Sequence, residues 1–142
     1  MIQNYSDLVL DNVELIPDEH VTYLLSINNG IVKLKNGTKL TLEKSSGHYI
    51  FDLYYWPNGN YPDGCTMIVE DDSVVLSGNI NISDDETDSQ NFPDKVNFIV
   101  PEGYLDTQDV EVITAPEYTI SWAPSTYPGY TDGYEMMVLT KN

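Results

Sequence analysis

Side chains that could perform acid–base or nucleophilic chemistry are few and scattered in this chain. His20 and His48 are its two histidines, and neither belongs to a nucleophile motif. Cys65 is its one cysteine, so neither an intramolecular disulfide nor a multi-cysteine zinc site can form. The sequence has no arginine to hold a phosphate and no glycine-rich phosphate loop. These features predict a protein that is not an enzyme and that carries no cofactor.

An acidic run supplies the candidate metal ligands. Asp84, Asp85, Glu86 and Asp88 lie close together in the sequence, and a hard cation such as calcium takes several carboxylate oxygens. Their spacing matches no calcium-binding loop, and the glycine that a tight loop needs is missing. The sequence therefore favours a solvated acidic loop over a calcium site.

Aromatic residues gather around two segments that read as loops. One group contains Trp56 and Tyr61, and the other contains Trp122, Tyr127 and Tyr130. Aromatic rings stack on the apolar faces of sugars, and nearby carboxylates accept hydrogen bonds from hydroxyls, so these five residues are candidate glycan contacts. The alternative is that the rings pack at the ends of the domain or in a subunit interface, where Tyr and Trp are enriched. The second interpretation is favoured.

The net charge of −17 comes from 6 lysines and 23 acids. Such a surface argues against direct binding to nucleic acid or to an anionic membrane. It also permits a protein that imitates DNA and inhibits a nuclease or a CRISPR effector, because carboxylates can replace phosphates against a basic groove.

The charges are unevenly placed along the chain. Twelve of the acids fall in residues 70–111, whereas Lys33, Lys35, Lys39 and Lys44 fall in one predicted hairpin. A basic hairpin and an acidic flank can dock head to tail on copies of the chain or on a neighbouring protein, with Lys33, Lys35 and Lys39 as the docking charges. Ordinary solubility explains the same pattern equally well.

Apolar residues alternate with a period of two, which predicts β-strands. The clearest segment is Val21–Glu43, where Asn29-Gly30 predicts a two-residue hairpin turn with Ile27 opposite Val32. A three-residue loop with Gly37 in a left-handed bulge then returns the chain, giving an antiparallel meander. Asp7–Leu15 fits either one helical turn or an edge strand. Further strands are predicted at Tyr49–Trp56, Cys65–Val69, Ser73–Ile82, Val96–Val100, Val110–Thr114, Tyr118–Trp122 and Tyr134–Thr140.

About ten short strands separated by Pro, Gly, Asn and Asp predict one all-β domain over residues 1–142, an antiparallel β-sandwich or jelly roll. The segments 56–69 and 122–138 both read W-x4-Y-P followed by D-G-x-x-M-[IM]-V. An internal duplication would explain this similarity between the two segments. Two independent uses of common turn chemistry would explain it as well, and we favour that interpretation.

The C-terminal segment resembles the closing strand pair of bacteriophage virion proteins of the tail-fibre, head-fibre or decoration type. The matching residues are Tyr118-Thr-Ile-Ser-Trp122-Ala-Pro124, then Pro128-Gly129, then Gly133-Tyr134 and the apolar run to Leu139. The resemblance implies a non-enzymatic structural or accessory role in a capsid, tail or fibre. It also implies docking on other virion proteins and self-association as a homo-oligomer.

The segment that opens the sequence has no basic region followed by an apolar run, and the apolar stretches are too short to span a bilayer. We therefore expect neither a signal peptide nor a transmembrane segment. With the resemblance, this predicts a protein assembled in the host cytoplasm and located in the virion.

Overall fold

The computed structural model describes residues 2–4, 7–55, 64–84 and 92–142. Most of these residues are in strands, and the described helices are α1 (Phe92–Lys95) and a 3-10 turn (Tyr104–Thr107). None of the described helices is long and apolar enough to cross a membrane. The strands are β1 (Ile2–Asn4), β2 (Leu8–Asp11), β3 (Glu14–Leu15), β4 (Tyr23–Ile27), β5 (Gly30–Lys35), β6 (Lys39–Thr41), β7 (Tyr49–Tyr55), β8 (Cys65–Val69), β9 (Val75–Asp84), β10 (Val96–Pro101), β11 (Asp109–Thr114), β12 (Tyr118–Pro124) and β13 (Tyr134–Lys141).

The strands form two sheets, and the chain passes repeatedly from one to the other. One sheet has seven strands in the order β1-β4-β7-β9-β6-β3, with β11 also on β9. The other has six strands in the order β12-β13-β10-β8-β5-β2. Among the described residues, every pairing is parallel except β10 with β13 and β12 with β13. The first turn of the chain is β1 to β3, the second is β4 to β6 and the third is β7 to β9. Each strand of a turn pairs in parallel with the corresponding strand of the turn before, which is a solenoid arrangement.

Inward-facing apolar residues stack from turn to turn and fill the space between the sheets. Leu25, Phe51 and Ile80 pair in register across β4, β7 and β9, and all three are fully buried. Phe51 meets Phe98 of the opposite sheet edge to face, with ring centroids 5.4 Å apart. Burial of this continuous apolar layer is the main force that holds the turns together.

Left-handed residues make one corner at which the chain leaves one sheet for the other. Asn36 has φ 54 and Gly37 has φ 80, which directs the chain sharply from β5 into β6. The buried Thr38 links the first two turns there: its Oγ1 donates to the Leu10 carbonyl at 2.9 Å and accepts from the Val13 N–H at 3.2 Å. The predicted left-handed Gly37 is confirmed, and it forms a corner.

The predicted antiparallel meander is wrong. β4 and β5 lie in different sheets, so Ile27 is not opposite Val32. Each of these strands instead pairs in parallel with the next turn, as Ile27 does with Leu53 and Val32 with Met67. Alternation with a period of two reports only that a strand has one buried face, and an Asn-Gly bend suits a corner as well as a hairpin.

The fold class is confirmed as mostly β, whereas the antiparallel β-sandwich is not. The seven later strands that the sequence predicts are all present, with bounds shifted by a few residues at most. The two similar segments, 56–69 and 122–138, end in strands that pair differently: β8 pairs in parallel with β10, and β13 pairs antiparallel with it. Gly64 and Gly133 both have a positive φ, and residues 56–63 of the first segment lie outside the described residues.

Candidate docking site

The loop 125–133, between β12 and β13, lies on the outer face of the six-stranded sheet. Tyr130 Oη donates to Glu70 Oε1 at 2.5 Å, and Tyr134 Oη donates to the Glu70 carbonyl. The Lys33 ammonium lies 5.7 Å from the centroid of the Tyr130 ring, which is within cation–π range. Burial, together with the hydrogen bond to the Glu70 carboxylate, holds the pKa of Tyr130 well above its usual range.

The outer face of this sheet also contains buried apolar residues. Ile68 pairs with Lys33 and with Ile99, so both isoleucines point away from the core, yet both are fully buried. Tyr130 stacks edge to face on Tyr134 with centroids 5.2 Å apart. The predicted glycan-contact residue Tyr130 is therefore committed to contacts within the chain, and Tyr127, 6.3 Å from it, is half-buried.

Trp122 does not belong to an exposed aromatic loop. It lies on β12, half-buried, with its ring 5.5 Å from that of Phe98 in an edge-to-face contact. The predicted strand Tyr118–Trp122 is present as part of β12, and its alternation turns the Trp122 side chain towards the core rather than towards Tyr127 and Tyr130. Trp56 and Tyr61 lie outside the described residues.

The lysines do not form the face of one hairpin. Lys33 and Lys35 project from the outer face of β5, whereas Lys39 lies on β6 in the other sheet. Lys35 approaches Asp11 to 4.0 Å, and Lys39 pairs in register with Glu14. These lysines thus stand directly behind the first strands of the two sheets.

We use the term N-terminal edge for strands β1, β2 and β3, which are the outermost strands at the start of the stack. Asn12 N–H donates to the Lys35 carbonyl, and the Leu10 carbonyl accepts from Thr38, so even-numbered backbone groups of β2 face the second turn. The N–H and C=O of Val9 therefore point to the open side. Val9 is 52% exposed, and Ile16 just after β3 is 82% exposed.

Two cavities adjoin the first two turns. One of about 200 Å³ is lined by Asp7, Leu8, Val9, Ile31 and Lys33. The other, of about 510 Å³, is lined by Pro17, Thr41, Leu42, Glu43, Lys44, Ser77 and Asp109, and the Lys44 ammonium lies 2.7 Å from the Asp109 carboxylate there. The first cavity is lined in part by the exposed Val9, so the N-terminal edge has an adjoining depression as well as backbone groups that face away from the described strands.

Asp52 is an ionisable group that the sequence analysis missed. It is 8% exposed on β7 and points away from Phe51, towards the outer face of the seven-stranded sheet. Its Oδ1 accepts from Asn81 Nδ2 at 3.0 Å and from Ser83 Oγ at 3.2 Å. Burial raises its pKa to about 6, an effect that those two hydrogen bonds partly oppose. A lone acid within the otherwise apolar run Tyr49–Tyr55 is the signal that could have found it.

Catalytic and metal chemistry have little support in the described residues. His20 is exposed and His48 is half-buried, and burial of Cys65 holds its thiol pKa well above the usual range. No group of three or more metal-ligating side chains occurs in the part of the chain that the structure describes. Of the calcium candidates, Asp84 ends β9, while Asp85, Glu86 and Asp88 lie outside that part.

Comparison with known proteins gives no relative from which a function could be carried over. No protein-family model matches the chain, and neither a curated protein nor a solved structure matches it.

Proposed function

We propose that this chain is a non-enzymatic structural or accessory protein that acts by docking on copies of itself and on neighbouring proteins, with a phage capsid, tail or fibre as its setting. The observation that supports this most is the N-terminal edge, where both sheets end in strands that have a neighbour on one side only among the described strands. Open strand edges bind other strands through main-chain hydrogen bonds, and proteins that do not use them usually protect them.

Exposed apolar side chains lie at the same place. Val9 and Ile16 are the most exposed of the large aliphatic residues in the described ranges. Val9 stands on the outermost strand of its sheet, so an added strand would cover it together with the free backbone groups beside it.

The two alternatives have weaker support from the described residues. For carbohydrate binding, Tyr130 and Tyr134 are engaged with Glu70, and Trp122 faces the core. For a DNA mimic, the acidic run Asp84, Asp85, Glu86 and Asp88 would supply the face that imitates phosphates, and only Asp84 lies within the described ranges. Neither alternative accounts for the open edge.

Light scattering at low and at high salt tests the proposal. We expect an oligomer of defined mass, populated more strongly at high salt because salt screens the repulsion between chains of charge −17. A strict monomer at both salts and at every concentration would contradict self-association. Tight, salt-sensitive binding to a nuclease, or binding to a glycan on an array, would favour the respective alternative.

A further inference from the structure

The lysines are concentrated at one end of the stack. Residues 1–44 contain six acids and four lysines, whereas residues 45–142 contain seventeen acids and two lysines. The first segment forms β1 to β6, that is, the first two turns. Two copies of this acidic chain therefore repel each other least when they meet at the N-terminal edge.

Acid and lysine also pair across the strands of these turns. Asp11 pairs in register with Lys35, and Glu14 with Lys39, so each of these acids on the outermost strands has a lysine directly behind it. A lysine of the same chain therefore offsets part of the charge of each of these acids. This lowers the repulsion between two N-terminal edges that approach each other.

The opposite end of the six-stranded sheet is β12, which, like β2, has a neighbour on one side only among the described strands. It differs from β2 in its surroundings: Phe92 of α1 packs against Tyr118 of β12 with centroids 5.1 Å apart, and β12 belongs to the segment with seventeen acids and two lysines. The acids Asp109 and Glu111 lie on β11 in that same segment, and Asp109 is paired with Lys44. Charge therefore favours the N-terminal edge over the β12 end.

We propose that the N-terminal edge binds the N-terminal edge of a second copy across a two-fold axis, with β2 antiparallel to β2 and Val9 opposite Val9. Because the N–H and C=O of Val9 face the open side, the two valines can exchange both of their main-chain hydrogen bonds. The inference rests on the proposed docking function, which it makes specific.

The same register places the other β2 side chains consistently. The half-buried Leu8 comes opposite Leu10 of the second copy on the inner face, so apolar surface is covered. On the outer face, Asp7 comes opposite Asp11 of the second copy, whose own Lys35 lies behind it. Because salt screens the repulsion between these two acids, the dimer is stronger at high salt.

Disulfide trapping in the full chain tests this register. In an antiparallel hydrogen-bonded pair the two Cα atoms are about 5.5 Å apart, a distance that a disulfide spans. Val9→Cys is expected to give a covalent dimer under mild oxidation, while the buried Cys65 stays unreactive. The matched control is Val138→Cys, which places a cysteine at a 36% exposed valine on β13 of the same sheet. We expect at least about tenfold more covalent dimer from Val9→Cys than from Val138→Cys.

The possible results distinguish a failure of this interface from a failure of the docking function. Equal trapping of the two variants would show random collision and overturn the inference. An oligomer of the wild-type chain by light scattering, without trapping of Val9→Cys, would overturn this interface but leave the docking function standing. A wild-type monomer under all conditions would overturn both. Circular dichroism melting curves that match the wild type show that each variant is folded, and trapping of the folded Val9→Cys variant alone supports the proposal.

Discussion

The two ends of the stack finish in different ways. At the C-terminal end, β12 and β13 form an antiparallel pair, and Tyr130 of their connecting loop and Tyr134 of β13 donate hydrogen bonds to Glu70. At the N-terminal edge, β2 runs parallel to its neighbour, and Val9 stays exposed. Both β2 and β12 have a neighbour on one side only among the described strands, so an outermost strand by itself does not distinguish the two ends. The exposed apolar side chain and the local charge do distinguish them.

Charge separates the two ends as well. The first 44 residues are nearly balanced, while the remainder carries seventeen acids and two lysines. Repulsion between two copies is therefore weakest when they meet at the N-terminal edge. In this account the acidic surface limits where the protein associates.

Loss of the Phe98 ring from the core should have the largest effect on stability. Phe98 contacts Phe51 across the core and Trp122 at the C-terminal end. Phe98→Ala should lower the free energy of unfolding by about 3–5 kcal/mol, because it leaves a cavity between the sheets. Val9→Ala at the open end is the control and should cost under about 0.5 kcal/mol. Urea unfolding measures the free energy of unfolding of both variants. Equal losses would contradict a buried Phe98 and an exposed Val9.

Asp52 lies within the stack and should make stability depend on pH. Its folded pKa of about 6 lies above its ordinary value of 3.8, so its ionisation favours unfolding. Its favourable contribution is complete below the ordinary value and is lost as the pH rises through about 6. Asp52→Asn should therefore stabilise the protein at pH 8 by up to about 3 kcal/mol, and by nearly nothing at pH 4.

Urea unfolding of the wild type and of Asp52→Asn across this pH range measures the difference, which cancels the titration of other groups. A difference that does not change with pH would contradict a buried, titrating Asp52. The mass of the associated species provides a second readout. It should be the same for both proteins, because Asp52 is on β7 and not at either end.

A branched residue at the corner should weaken the first two turns. Gly37 has φ 80, and its position is next to Thr38, which links β2 to β5 and β6. Gly37→Val should cost about 1–3 kcal/mol, because a β-branched residue is strained in the left-handed region. Thermal unfolding measures this loss. An unchanged midpoint would contradict the corner geometry, and Gly37→Asn should recover part of the stability.

The smallest of these effects concerns the loop that closes the outer face. Tyr130→Phe removes the hydrogen bond to Glu70 and should cost about 1 kcal/mol. Tyr127→Phe is the matched control, since the neighbouring Tyr127 hydroxyl makes no such bond to Glu70, and it should cost less. Thermal unfolding of both variants gives the comparison. A larger loss for Tyr127→Phe would contradict the role given to the Tyr130 hydroxyl.

The sequence contains the strands but not their partners. Alternation locates β7 and β8 within a few residues, because each strand has at least one apolar face whatever it pairs with. The pairing is hidden because the turns differ in length: Leu8 pairs with Val32, but Val32 pairs with Met67, a longer step along the chain. Without a constant period, a solenoid leaves no regular repeat in the sequence.

The candidate site was accessible from the sequence only in part. The lysine concentration that marks the N-terminal edge is visible in the sequence, although Lys39 lies in a different sheet from Lys33. The inward orientation of Trp122 depends on which face of β12 meets Phe98, and no local pattern determines that. Asp52 could have been singled out as an acid among apolar neighbours, but its hydrogen bonds to Asn81 and Ser83 depend on the pairing of β7 with β9.

Amide hydrogen exchange in the wild-type chain, followed by NMR at increasing protein concentration, tests the N-terminal edge most directly. Leu10 is expected to be protected throughout, because its backbone groups face the second turn. The Val9 amide should exchange rapidly in dilute solution and slowly in concentrated solution, as its N–H becomes bonded to a second copy. Exchange of Val9 that stays fast while the measured mass rises, or that is slow at every concentration, would contradict the account.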